Sequence, residues 1–216
     1  MTLKITATLA KKVLKTIDAG LVSGLGRPQP GQMCVMAAIN YAMGAEHGDK
    51  PTCVGSAVRA YDIRLNDAPW SSKAARASGM RREAIAKLGS ADIDQREFAE
   101  KVTIRIINRL LPLLFEGKLD KKLLDECAKA KTLNEAKKAS LAVRSDADAA
   151  AYDAADAADA AAYAAAYAAD AAAYAAADAA YADKYLILAS DIGCEVLVEM
   201  GTEGSKFLYL VDEVAS

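Results

Sequence analysis

The chain has 216 residues, near-balanced charge (27 Lys and Arg against 29 Asp and Glu, net −2) and 53% hydrophobic residues. That length can bury a substantial core in one domain or two, and the charge balance argues against nonspecific nucleic-acid binding. Four scattered cysteines without a CxxC pair, together with an N-terminus (MTLKITATLAKKVLK) lacking a continuous apolar stretch, point to a cytoplasmic protein with reduced thiols.

In chain order, Leu9, Val13, Leu14 and Ile17 share one face and predict a helix from about Thr8 to Ala19. The glycine- and proline-rich stretch GLVSGLGRPQPGQ then reads as a structured loop. It lacks the GK[ST] of a phosphate loop and the preceding strand of a dinucleotide fingerprint. QMCVMAAINYAMG predicts a buried helix stopped by Gly44, and a second helix is expected near Thr52 to Tyr61. Ser71 or Ser72 suits the N-cap of a basic helix closed by Gly89, and Asp92 or Asp94 opens the next, with Pro112 kinking or ending it. Shorter helices are expected around Lys121–Lys129 and Leu133–Val143.

From about Ala149 to Tyr185 the chain is almost entirely alanine and aspartate, with Tyr152, Tyr163, Tyr174 and Tyr185 eleven residues apart. Eleven residues make about three helical turns, so Tyr152, Tyr163, Tyr167, Tyr174, Tyr181 and Tyr185 fall in a sector of about 60° beside Asp148, Asp156, Asp159, Asp170 and Asp178. No Gly or Pro interrupts the run, which predicts one long helix over about 145–183. The period is similar to that of alanine-rich ice-binding helices, but those carry threonine at the repeat and this run has none. Asp interrupts the run too often for a membrane span. The final segment YLILASDIGCEVLVEMG predicts a helix burying Leu186, Ile187, Ile192, Val196 and Leu197 and ending at Gly201. GSKFLYLVDEVA follows as a short helix or an extended segment.

The expected fold is therefore all-α, a multi-helix bundle with one long Ala-rich helix. Residues 1–118 form an N-terminal helical region with the candidate ligand site. Residues 119–216 supply the long helix and the C-terminal helices, the two parts forming one compact unit.

Three residue sets compete for function. Arg59, Arg64, Arg76, Arg81 and Arg82 surround a turn containing Asn66, Asp67, Trp70, Ser71 and Ser72. Guanidiniums beside a helix N-terminus suit a phosphate, and an indole can stack on a base. The alternative is that the arginines form a solvated face or pair with the acidic run, with Trp70 in the core. The second set is the stripe Tyr152, Tyr163, Tyr167, Tyr174 and Tyr181, a contact surface for a protein partner or a rim around a packed alanine face. The third is Cys34, His47, Asp49 and Cys53, the one concentration of metal-capable residues. It matches no zinc-finger spacing, and the favoured alternative is that His47 and Asp49 close the loop by hydrogen bonds, with Pro51 shaping the next helix entry.

The segments GLVSGLGRPQPGQMCVMAAINYAMG, EHGDKPTCVGSAVRAYDIRLNDAPWSS and ARASGMRREAIAKLGS resemble a recurring family of uncharacterised bacterial and phage proteins with a downstream alanine-rich stretch. The resemblance implies no named activity; its phage association admits a role in host–virus conflict. The leading expectation is a non-enzymatic binding protein, such as a phage anti-defence protein that sequesters a phosphate-bearing nucleotide signal. The alternatives are a protein-interaction module (an immunity protein or inhibitor) using the Tyr/Asp stripe, and a hydrolase or zinc protein centred on Cys34, His47, Asp49 and Cys53. No catalytic residue, metal or cofactor is assigned; a homo-oligomer is expected, and neither a membrane nor a specific nucleic acid is an expected partner.

Overall fold

A computed structural model describes residues 4–116, 121–147 and 179–213. Among these the regular structure is helical, with two isolated bridges and no strand, so the chain is an all-α bundle. The alanine-rich stretch 148–178, with Tyr152, Tyr163, Tyr167 and Tyr174, lies outside the described residues. Its flanks are helical on both sides.

α1 (Ala7–Asp18) begins where the Thr6 hydroxyl accepts from the Leu9 amide at 3.2 Å, and it buries Ala10, Val13, Leu14 and Ile17 along one face. The loop after it folds back on itself through bridges from Leu21 and Gly26 to Met33. Gly26 has φ +72°, and a Cβ there would run into the Gln32 carbonyl, so no other residue fits. α2 (Val35–Met43) is the central helix, with Val35 through Asn40 all buried, and ends at Gly44 in the left-handed conformation.

α3 spans Ser56–Asp67, later than the expected Thr52–Tyr61. Thr52 to Val54 form a turn, closed by the Val54 amide donating to the Pro51 carbonyl at 3.0 Å. The helix then runs on until Ala68, which Pro69 forces to an extended ψ of 156°. α4 (Lys73–Ala86) starts at Ser72, whose hydroxyl accepts from the Ala75 amide at 3.0 Å.

α5 (Gln95–Arg105), capped by Asp94, passes through a π-helical turn over Ile106–Leu110 into α6 (Leu111–Leu114). Pro112 lacks an amide donor and crowds the preceding turn, so the wider turn sits where the proline disrupts regular bonding. Asn108 in this turn reaches across to the Cys127 and Ala130 carbonyls at 2.6 and 2.9 Å. α7 (Lys121–Lys129) and α8 (Leu133–Ala147) follow. α9 (Ala179–Glu199) lies along α4, and a 3₁₀ turn over Glu203–Phe207 leads into α10 (Tyr209–Glu213).

The main core joins α1 to α5 with α9, while a smaller cluster of Ile107, Leu111, Cys127, Ala130, Ala136 and Ala139 joins the π turn to α7 and α8. α9 thus packs back into the main core built by α1 to α5. Among the predicted apolar positions of α9, Leu186, Ile192, Val196 and Leu197 are buried as expected, but Ile187 is 40% exposed.

Candidate functional site

The turn that carries Asn66, Asp67, Trp70 and Arg76 is a clasp between three elements. α3 ends with carbonyls that no helical amide reaches, and the buried Arg76 guanidinium supplies donors for them. Its Nε donates to the Asn66 carbonyl at 2.7 Å and its Nη2 to the Ala68 carbonyl at 3.4 Å, while Nη1 reaches the Leu21 carbonyl at 3.0 Å. Burial pulls the Arg76 guanidinium below its ordinary range, against the opposing pull of Asp67 and Asp183.

Asn66 works in the same direction. Its Oδ1 accepts from the Val35 amide at 3.0 Å, capping α2, and its Nδ2 donates to the Val22 carbonyl at 2.9 Å. Asp67 Oδ1 accepts from the Gly24 amide at 2.7 Å. Trp70 is 7% exposed, donates its indole N–H to the Leu65 carbonyl at 2.8 Å, and lies against Gly79, where any Cβ would strike the ring. The structure thus gathers Asn66, Asp67, Trp70 and Arg76, but around backbone groups of the chain itself.

The other members of this set are dispersed. Arg59 bonds Asp49 twice, through its carbonyl at 2.6 Å and its carboxylate at 2.8 Å. Arg64 is exposed on α3. Arg81 pairs with Asp18 at 2.7 Å and donates to the Val211 carbonyl, and Arg82 pairs with Asp212. Ser72 is spent as the α4 cap. Ser71 binds the carboxylate of Asp183 through its amide at 2.9 Å and its hydroxyl, so one carboxylate of the acidic run does face the basic helix.

Cys34, His47, Asp49 and Cys53 also serve separate contacts. Cys34 is at the N-cap of α2, with its sulfur accepting from the Ala37 amide, rather than within the helix. His47 Nε2 is 3.2 Å from the Gly26 carbonyl and fastens the glycine loop, while Cys53 contacts Met43 sulfur at 3.6 Å. Burial pushes both thiols up, away from the thiolate that nucleophilic or zinc chemistry needs. A small cavity of about 50 Å³ touches Cys34, Asp49, Asn66 and Asp67, room for water rather than for a substrate. Among the described residues no three His, Cys, Asp or Glu side chains are grouped to hold a metal ion.

The larger opening lies elsewhere. A groove of about 400 Å³ runs along α9, lined by Arg82, Arg109, Asp191, Cys194, Glu195, Val198 and Leu208. Arg109 pairs with Glu195 at 2.5 Å. Asp191, half-buried, is held above its ordinary carboxylate range by that burial, with Arg82 opposing. On α9, Ile187, Asp191, Cys194, Glu195 and Val198 recur at helical spacing, and the two apolar ends of this stripe are 40% and 45% exposed. That periodicity was the available signal for the groove; Arg82 alone belonged to the expected set. Tyr181 lies in the first turn of α9, its side chain outside the described residues, and Tyr185 is buried with its hydroxyl 3.4 Å from the Leu113 carbonyl.

Beneath the opposite side of α9 are three ionisable side chains that composition disguised as part of a charged helix. Asp62, Glu83 and Lys87 are all 0% exposed, and Lys87 Nζ is 2.6 Å from both Asp62 Oδ2 and Glu83 Oε2. No helix among the described residues is long and apolar enough to cross a membrane. No protein-family model, no curated protein and no solved structure matches the chain.

Proposed function

We propose that the protein is a non-enzymatic binding module whose recognition surface is the α9 groove, and that its ligand there is a polypeptide. The observation that supports this reading is the α9 stripe: exposed Ile187 and Val198 bracket Asp191 and Glu195, with Arg82 and Arg109 alongside. The apolar groove residues Cys194, Val198 and Leu208, edged by Arg82, Arg109, Asp191 and Glu195, match the anchor-and-rim pattern of protein interfaces. Arg82 and Arg109 keep their own carboxylate partners at the surface, where such pairs are weak and exchange readily for a partner's groups. A photo-crosslinking residue at Val198 should trap one polypeptide in the encoding cell, whereas the same residue at Lys50 should not. Equal products from both positions would count against the reading.

A second reading keeps the phosphate-bearing ligand, moved from the Trp70 turn to this groove. Two guanidiniums, Arg82 and Arg109, line one opening whose volume falls within the range for small-molecule sites. A nucleotide held there in sequestration raises the melting temperature, and Arg82→Ala together with Arg109→Ala removes the rise. A shift insensitive to both substitutions, or absent for every nucleotide tried, argues against it.

A further inference from the structure

Asp62, Glu83 and Lys87 bring two carboxyls and one ammonium into a site without solvent, so full ionisation leaves a net charge of −1 there. An uncompensated buried charge is far costlier than a bound proton. Lys87 closes α4, where the helix dipole favours its ammonium. Burial works against that ammonium, but Asp62 and Glu83 outweigh it and hold Lys87 above its ordinary range. Burial and then the Asp62 charge push Glu83 well above the usual carboxylate range, with Lys87 opposing. The 2.6 Å contacts are ion pairs rather than well-aligned hydrogen bonds, and both carboxyls converge on the one Lys87 ammonium.

The cluster is also the seat of α9. Tyr61, next to Asp62, donates its hydroxyl to the Ala189 carbonyl at 2.5 Å. A Cβ on Gly193 would stand 2.8 Å from Tyr61 Cε1 and 3.5 Å from Glu83 Cγ, so α9 crosses directly over both. The groups bearing on the cluster are Tyr61 from α3, Cys194 from α9, and Cys53 from the turn before α3, with Asp191 acting on Tyr61 and Cys194 rather than on the cluster itself.

We propose that Asp62, Glu83 and Lys87 form a proton-dependent latch, which holds one carboxyl proton at neutral pH and loosens the seat of α9 when that proton leaves. The protonated form is Asp62 carboxylate, Lys87 ammonium and Glu83 carboxylic acid, a neutral set. A group whose folded state holds its proton more tightly gives its full contribution below the ordinary carboxylate range, and loses it as pH rises through the folded value. Glu83→Gln keeps the shape and fixes the neutral state.

The test is amide hydrogen exchange of α9, corrected for intrinsic rate, from about pH 6 to about pH 9 in the intact chain. Wild-type protection should fall at least about tenfold more across that window than protection in Glu83→Gln, equivalent to one pH unit of linkage. Parallel slopes overturn the proposal. Infrared spectroscopy of the wild-type protein keeps it testable should the variant fail to fold. A protonated-carboxyl stretch at neutral pH that disappears on alkalinisation together with α9 protection supports the latch. Its absence at neutral pH overturns it.

Discussion

Arg76 Nε donates to the Asn66 carbonyl at 2.7 Å, and that bond joins the start of α4 to the end of α3. The same guanidinium holds the Leu21 carbonyl, so one side chain fastens the glycine loop and two helices. A cation used in this way is committed to the fold.

Arg76→Ala should therefore act on stability. It strands the buried Asn66 and Leu21 carbonyls, while the Ala68 carbonyl keeps the Trp70 amide, a loss of about 3 kcal/mol at the usual cost of unsatisfied groups. Urea unfolding checks this. Arg76→Lys should restore little, because an ammonium does not reproduce the fork that reaches Asn66, Ala68 and Leu21 together.

Lys87→Met should be among the most damaging single changes, at about 3–5 kcal/mol near neutral pH, because it removes the cation that the buried Asp62 and Glu83 carboxyl groups share. The sign of its pH dependence follows. Without Lys87, Asp62 and Glu83 both bind protons more tightly folded than unfolded, so stability rises as pH falls toward the carboxylate range. Melting temperatures of the variant at about pH 5 and about pH 7.5 check the direction; a variant more stable at the higher value contradicts it.

The cysteines should be slow toward alkylating reagents in the native protein. Cys34, Cys53, Cys127 and Cys194 are all free and buried. Burial carries Cys127 up to about 11 and Cys194 up to about 12, so both remain thiols at mildly alkaline pH. Mass spectrometry after iodoacetamide should show four reactive thiols in denaturant and slow, incomplete labelling without it.

His47→Ala should leave global stability within about 1 kcal/mol, the worth of one exposed hydrogen bond, yet loosen the glycine loop. Exchange of the Arg27 amide, which donates to the Gln32 carbonyl at 2.7 Å, should quicken while that of the α2 core amides does not.

Much of the helical layout was legible because its signals are local. Ser72 and Asp94 cap the helices that follow them, Gly44 ends α2, and the π turn lies next to Pro112. The start of α3 was not, since Thr52–Val54 looks helical and its turn depends on Pro51. The arginine set was misleading for a physical reason. A guanidinium near a helix start looks the same in sequence whether it meets a phosphate or a backbone carbonyl, and the carbonyl of Leu21 is 55 positions from Arg76. Lys87 could not be singled out for the same reason, because Asp62 and Glu83 only converge on it once α3 lies on α4. Ile187 was expected inside by periodicity, but it sits at the edge of the α4 contact near Gly79 and stays 40% exposed.

On the proposed function, recognition passes through the α9 groove and not through the Trp70 turn. It is tested most directly by quantitative capture from the encoding cell with three tagged forms of the full chain: wild type, Arg109→Glu with Val198→Glu, and Lys50→Glu as a surface control. The account predicts that wild type and the control retain the same polypeptide, that the groove variant loses it by about a hundredfold, equivalent to about 3 kcal/mol of interface energy, and that all three melt alike. Undiminished capture by a folded groove variant would contradict it.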